Sequence, residues 1–499
     1  MFREGFVWGS ASSSYQIEGA ARDDGRGLSV WDEFCDKPGA VLHGHTGAVA
    51  CDHYHRMPED VAMMRELGLK AYRFSIAWPR VMPEGRGRVN PAGLGFYDRL
   101  VDELLAAGIE PWATLFHWDF PYELQLQGGW LNRESARWFA EYSRVVVDRL
   151  SDRVKHWMTI NEPQVYISLG HGDGTHAPGL KLSMRERLLA GHHTLLAHGE
   201  AVQVIRAHAR QRPFVGWAPV GHVWYPGSES EADIEAARKL SMSVHRADTW
   251  NNTWWADPVC RGAYPEDGLR VFGMDAPRVA AGDMETICQP LDFYGVNIYQ
   301  GTPVEAGPDG QARVITREPG FAQTAFKWPV APESLYWGPR FIHERYGLPV
   351  VITENGLANL DWPDLSGRVA DPQRIDFTRR YLLQLARASR EGIATGYFHW
   401  SIMDNFEWAE GYQMRFGLVH VDFQTLKRTP KDSAYWYRDV IRTNGSSLLA
   451  PASATAGELL SGATPGVGSA NGTAGVSTNG ARTPHLAEMK PPTKPPRGG

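Results

Sequence analysis

Short apolar runs alternating with amphipathic helical stretches occupy most of this chain, and that alternation limits its fold more than anything else in it. Residues 70–75 read as a buried strand. The stretch before them carries Val61, Met64 and Leu67 at helical spacing and stops at Gly68. After the strand, Tyr97, Leu100, Val101, Leu104 and Leu105 form a helical stripe that ends at Gly108, and 111–115 reads as the next strand. The unit recurs, with a helix over 135–150 and strands over 155–160, 213–219, 291–296, 349–353 and 395–400. Asp371-Pro372 suits the N-cap and first turn of a helix running to Ser389. With 6–9 as the first, eight strands follow in order, with helices between most of them. Alternating β and α elements favour a parallel sheet, and eight repeats fit an α/β fold built as a single (β/α)8 TIM barrel with long βα loops. A doubly wound sheet is the alternative, but no Gly-x-Gly-x-x-Gly follows an early strand.

The pattern ends near residue 444. Residues 445–499 contain no aromatic residue and are dominated by Gly, Ala, Ser, Thr and Pro. Such a segment buries too little apolar surface to offset its ordering entropy, so 1–444 is expected as the folded domain and 445–499 as a low-complexity, disordered tail. A net charge of -6, with basic residues interspersed among acids, gives no reason to bind nucleic acid or an anionic membrane. Four cysteines in so long a chain do not make a disulfide framework. No basic-then-apolar leader opens the sequence, and no apolar run approaches the roughly 18 residues of a membrane span. A cytoplasmic protein is the expectation, which makes the Asn251-Asn252-Thr253 glycosylation triplet accidental. Nineteen tryptophans are the unusual figure. Core packing is expected to account for more than half, and the others suit a ligand with flat C–H faces, as sugars have.

The strand ends carry the chemistry. In a barrel the C-terminal ends of the strands form the rim that holds active sites. Here the second strand ends Arg73-Phe74-Ser75, the third His117-Trp118-Asp119 and the fourth Asn161-Glu162-Pro163. The sixth ends Asn297-Ile298-Tyr299, the seventh Thr353-Glu354-Asn355-Gly356, and the eighth Trp400, followed by Asp404-Asn405-Phe406-Glu407-Trp408. Strands four and seven face each other across a barrel mouth. Glu162 and Glu354 therefore supply the paired carboxylates that glycoside hydrolysis needs, with about 5–5.5 Å between them for a retaining enzyme. A single glutamate at a strand end is usually a salt-bridged loop residue; the pair, flanked by Asn161, His117, Arg73 and Tyr299, is not explained that way.

Five motifs in order, Gln16-x-Glu18-Gly19, His117-Trp118-Asp119-x-Pro121, Asn161-Glu162-Pro163, Thr353-Glu354-Asn355-Gly356 and Asp404-Asn405-Phe406-Glu407-Trp408, resemble glycoside hydrolase family one, the β-glucosidases. The resemblance spans residues 5 to about 442. It implies a barrel that cleaves terminal β-glucosides with retention, through a covalent glycosyl-enzyme. Glu354 is implied as nucleophile and Glu162 as acid/base, supported by Arg73, Asn297 and Tyr299. Gln16, His117, Trp118, Asn161, Trp400, Glu407, Trp408 and Phe416 are implied in substrate binding, with Asn161 on the 2-hydroxyl, Trp400 as the stacking floor and Trp328 on the aglycone side. No metal or organic cofactor is implied, and the partner is a small β-glycoside or oligosaccharide. Family members that cleave 6-phosphorylated sugars have Ser where Glu407 stands, so a carboxylate there is expected to repel phosphate. Galactosides and fucosides are expected as further substrates.

Gln164, His171, Tyr122, Phe326 and Lys327 depart from the family's usual residues and bear on aglycone preference. His43, His45, Cys51, His53 and His55 invite a metal reading, but no closed ligand spacing supports it. A non-catalytic sugar-binding barrel is the competing class, disfavoured because both carboxylates are intact; a transglycosylase would use the same residues.

Overall fold

The computed structural model describes residues 1–450. Its core is an eight-stranded parallel sheet of β1 (Val7–Ala11), β2 (Ala71–Ser75), β3 (Glu110–Phe116), β4 (His156–Asn161), β5 (Phe214–Ala218), β6 (Tyr294–Asn297), β7 (Val350–Asn355) and β8 (Ala394–Trp400). The strands pair in the order β5-β4-β3-β2-β1-β8-β7-β6. The two ends of that order meet: Asp292 N donates to Val215 O at 2.8 Å, Asn297 N donates to Pro219 O at 3.0 Å, and Val220 bridges Asn297. The expected barrel is therefore present, with strand ends shifted by no more than three residues from the sequence reading.

The outer ring includes α1 (His53–Glu66), α2 (Pro91–Ala106), α3 (Ser135–Leu150), α4 (Met184–His208), α5 (Thr253–Arg261), α6 (Ser334–Tyr346), α7 (Pro372–Arg390) and α8 (Asp432–Arg442). α3 shows why such a stretch becomes helix: Trp138, Phe139, Tyr142, Val146, Val147 and Leu150 recur on one face and are all buried. α4 begins with a capping box, in which Glu186 Oε2 accepts from Ser183 N at 2.9 Å and Glu186 N donates back to Ser183 Oγ. Asp371 does stand at the N-cap of α7, but its side chain does not cap; its carboxylate accepts from Ser433 N and Oγ instead, tying α7 to α8.

Inside the barrel, below the rim, Trp112, Phe293 and Phe398 interlock with ring centroids 5.0–5.4 Å apart around Trp112, and the small Ala11, Ala71 and Ala218 make room for them. This plug fills the barrel interior below the rim. Of the nineteen tryptophans, all but Trp224, Trp250, Trp328 and Trp362 are buried. Residues 446–449 form a 3-10 turn with Leu448 in the core, so ordered packing runs a few residues past the expected boundary at 444. The rest of the expected tail, 451–499, lies outside the described residues. No helix among the described residues is long and apolar enough to cross a membrane.

Candidate active site

The barrel mouth opens into a cavity of about 560 Å³. Glu162, Glu354, His117, Trp118, Asn297, Tyr299, Trp328, Trp400, Glu407, Trp408 and Phe416 line it, and Gln16, Arg73 and Asn161 stand directly behind them.

Both carboxylates are delivered by breaks in strand register. The β4–β5 pairing shifts between Met158 and Asn161. Thr159 points out of the barrel to His198 on α4, at 2.6 Å, whereas Asn161 and Glu162 both serve the mouth. On β7 the register shifts between Ile352 and Glu354, so that Thr353 and Glu354 both reach the site. Irregularities of this kind re-aim side chains next to active sites. Glu162 itself lies in the left-handed region, φ 45°, ψ 64°, ahead of Pro163, which disfavours the right-handed helical alternative. Its N–H is fixed to Ala218 O of β5 at 2.8 Å. Gly356 serves β7 differently: a Cβ there would lie 1.8 Å from Trp400 O, so any side chain would push β8 and its tryptophan away.

The two glutamates are held differently. Glu354 Oε1 accepts from Arg73 Nη1 at 2.6 Å and Oε2 from the Tyr299 hydroxyl at 2.7 Å. Burial holds the Glu354 carboxyl above its usual range, although the Arg73 guanidinium and the Tyr299 and Asn297 donors act to lower it. Glu162 has no ion pair. Its Oε1 accepts one bond, from Asn297 Nδ2 at 2.9 Å. Burial first, and the Glu354 charge second, push its carboxyl up to about 8. The Arg73 ion pair thus favours ionisation of Glu354, whereas burial without an ion pair favours the protonated form of Glu162. Tyr299 stays a donor, because burial and the Glu354 charge hold its hydroxyl well above the usual phenol range.

Behind this pair runs a hydrogen-bonded layer. Asn161 Oδ1 accepts from Arg73 Nη2 at 2.6 Å and Asn297 Nδ2 at 3.0 Å; Asn297 Oδ1 accepts from Thr353 Oγ1 at 2.6 Å. With its oxygen occupied, Asn161 turns its amide nitrogen to His117 Nε2, 3.1 Å away, which places the ring proton on Nδ1. That Nδ1 is buried and has no partner in the protein. Burial, then the Arg73 charge, keeps the ring neutral. It is an unused donor on a residue that lines the cavity.

The β8 loop carries the other half of the wall. Asp404 accepts from Lys431 Nζ at 2.7 Å, Arg415 Nη1 at 2.7 Å and Gly417 N at 3.0 Å, clamping 401–417 from beneath. Gln16 Nε2 donates to Phe406 O at 2.9 Å and reaches Glu407 Oε2 at 3.3 Å, so Gln16 orients Glu407. Burial, then the charges of Glu354 and Glu162, push the Glu407 carboxyl well above the usual range. Arg246, which is exposed, is the one Lys or Arg among the lining residues, against the carboxyls of Glu162, Glu354, Glu407 and Glu410.

Sequence reasoning did not single out Thr353 as a positioning group, nor the loop after β5, whose Val220, His222, Trp224, Arg246 and Trp250 line the cavity. Two of the departures are accommodated locally: Gln164 exchanges two 3.2 Å bonds with Val220, and His171 Nδ1 meets Tyr166 O at 2.8 Å. The histidines near the N-terminus do not converge. His53 pairs with Asp60, His55 with Asp52 and His43 with Gln413, and no group of three or more metal-ligating side chains forms among the described residues.

Residues 1–446 match the family model for glycosyl hydrolase family 1. The chain belongs to that family. Beta-glucosidase A of Thermotoga maritima is 47% identical over 446 residues, covering 89% of this chain and 98% of the relative. A 1,4-beta-D-glucan glucohydrolase of Thermotoga neapolitana is 46% identical, with 89% and 99% covered. Among solved structures, the Thermotoga maritima beta-glucosidase in complex with glucoimidazole superposes with a TM-score of 0.81 at 46% identity, covering 89% of this chain and 99% of that one. Members of glycosyl hydrolase family 1 thus match the whole described barrel and not only its mouth.

Proposed function

We infer that this chain is a retaining, exo-acting β-glucosidase that removes terminal non-reducing β-D-glucosyl residues, with β-galactosides and β-fucosides as further substrates. The observation that carries the reading is the unequal holding of two glutamates at one cavity, one ion-paired to Arg73 and the other taking a single bond from Asn297. In the first step Glu354 attacks the anomeric carbon as the glycosidic C–O bond breaks, and Glu162 gives its proton to the departing oxygen. Esterifying Glu354 removes its negative charge, so the Glu162 carboxyl falls and the residue becomes a base. In the second step water attacks the same carbon, its proton passes to Glu162, and the ester bond breaks to restore Glu354. His117 Nδ1 and Glu407 bind ring hydroxyls, Asn161 serves the 2-hydroxyl, and Trp400 stacks beneath the ring. The relatives' names, and a neighbour in complex with glucoimidazole, support a glucoside as the substrate. Four free cysteines agree with a cytoplasmic setting.

Initial rates on aryl β-glucoside, galactoside, fucoside and 6-phosphoglucoside test the reading. Glucoside is expected to be turned over at least about a hundredfold better than its 6-phosphate, since a phosphate among buried carboxyls costs roughly 3 kcal/mol. Glu162→Gln should lower glucoside turnover by about 10²–10⁴-fold, and Glu354→Gln should abolish it. Wild-type rates in both variants would sink the assignment.

A further inference from the structure

His43 and His45 lie on the segment 41–51 ahead of α1, and both are bonded to the loop 404–417, which carries Glu407, Trp408 and Phe416. Tyr412 N donates to His45 Nδ1 at 3.3 Å, and the two rings lie 5.1 Å apart. The Tyr412 hydroxyl donates to Thr46 O at 2.6 Å, and the Gln413 side-chain amide donates to His43 Nε2 at 2.9 Å. At the inner end of the segment, Cys51 Sγ donates to Asp404 O at 3.1 Å. The segment thus grips the loop at Asp404 and again at Tyr412 and Gln413, on either side of Glu407 and Trp408. With its Nδ1 accepting, the half-buried His45 carries the ring proton on Nε2. Burial, then the His43 charge, holds that ring below its ordinary range, which keeps Nδ1 free to accept.

Between the two grips the loop closes on itself. Glu407 N donates to Gly411 O at 2.6 Å, Glu410 N to Glu407 O at 3.0 Å and Gly411 N to Trp408 O at 3.1 Å. Residues 407–411 therefore form one turn, and Tyr412 directly follows it. The Glu407 side chain takes, among the described residues, one bond, the 3.3 Å contact from Gln16. Its placement depends on the turn, and the turn on what fixes Tyr412. The segment also reaches Trp408 by a second route. A Cβ on Gly47 would lie 2.6 Å from Tyr15 Cε1, so glycine lets the segment close on that ring, and Tyr15 in turn stacks on Trp408 with centroids 6.1 Å apart and planes at 8°.

We propose that the segment 41–51 is a strap that positions the sugar-binding turn 407–411, with His45 as its main positioning residue and His43 as an outer one. The strap's role rests on the glycosidase reading of Glu407 and Trp408, and it adds a determinant of how tightly they hold the sugar. The test measures kcat and KM on an aryl β-glucoside, and Ki for free glucose, with the full-length enzyme and its His45→Ala, His45→Asn, His43→Ala and Tyr412→Phe variants. His45→Ala removes the acceptor for Tyr412 N. KM and Ki are expected to rise together about threefold to tenfold, the worth of one hydrogen bond, with kcat within about twofold of wild type. An asparagine oxygen can accept near the place of Nδ1, so His45→Asn should bring both constants back to within about twofold of wild type. Tyr412→Phe loses the bond to Thr46 O and should raise both constants, and His43→Ala should raise them less. A merely structural role would lower the melting temperature or the active fraction and leave KM and Ki in place. Unchanged KM and Ki in both His45→Ala and Tyr412→Phe, or a His45→Asn variant no better than His45→Ala, overturns the strap while leaving the glycosidase reading intact. Absence of aryl glucoside hydrolysis by the wild type would overturn both.

Discussion

Replacing Asn297 by Ala should move the alkaline limb of the pH–rate profile upward. Asn297 Nδ2 donates the one bond that Glu162 Oε1 receives, at 2.9 Å, in a site where Asn297 is fully buried and Glu162 nearly so. A hydrogen bond to a carboxylate favours the ionised form, so the bond lowers the Glu162 pKa, and losing it must raise that pKa. Bonds to charged groups are worth roughly 1.5–3 kcal/mol, which at about 1.4 kcal/mol per pH unit is a rise of about one to two units. Activity needs Glu162 protonated, so the wild type should lose activity as pH rises through about 8. The variant should lose it about one to two units higher, roughly between pH 9 and 10. Its plateau should also be lower, because Asn161 loses a donor and Thr353 its acceptor. The assay is kcat/KM on an aryl glucoside from pH 5 to 10, at constant ionic strength. An alkaline limb that stays in place or moves down would refute this account of how Glu162 is held.

Two other changes probe the supports. Tyr299→Phe removes the hydroxyl donated to Glu354 Oε2, and should lower kcat/KM by about 10–150-fold, the equivalent of 1.5–3 kcal/mol. The lost donor had favoured the carboxylate, so the acidic limb should rise in pH; a fall would contradict the assignment. Lys431→Met leaves Asp361 and Asp404 without the ammonium that now sits 2.6 and 2.7 Å from them in the core. Stranded buried carboxylates should cost about 3–5 kcal/mol in urea unfolding, and a loss under about 1 kcal/mol would show that Arg374, paired with Asp361 at 2.5 Å, and Arg415, paired with Asp404, suffice.

The fold was readable from the sequence because barrel strands buried on both faces are continuous apolar runs, and the helices between them are amphipathic. Rim residues were readable because they directly follow those runs. What could not be read was which of two neighbouring residues faces inward. A period of two would send Asn161 and Glu162 to opposite faces, and only the register shift after Met158 turns both to the mouth. The layer of Arg73, Asn161, Asn297 and Thr353 joins four strands and has no local signature. The wall at Trp224 and Trp250 was hidden because the loop after β5 lacks periodicity, so its tryptophans could not be told from core residues. The upward push on the Glu407 carboxyl could not be read either, since it depends on burial and on two carboxyls distant in sequence.

Trapping the covalent intermediate tests the central claim most directly. The enzyme would be incubated with an activated 2-deoxy-2-fluoro-β-glucoside, which slows the second step, then digested and analysed by mass spectrometry. The fluoroglucosyl mass is predicted on the peptide carrying Glu354, and NMR of a normal turnover should show the β-anomer as the first product. An adduct on Glu162, or α-glucose as the first product, would contradict the assignment of nucleophile and acid/base.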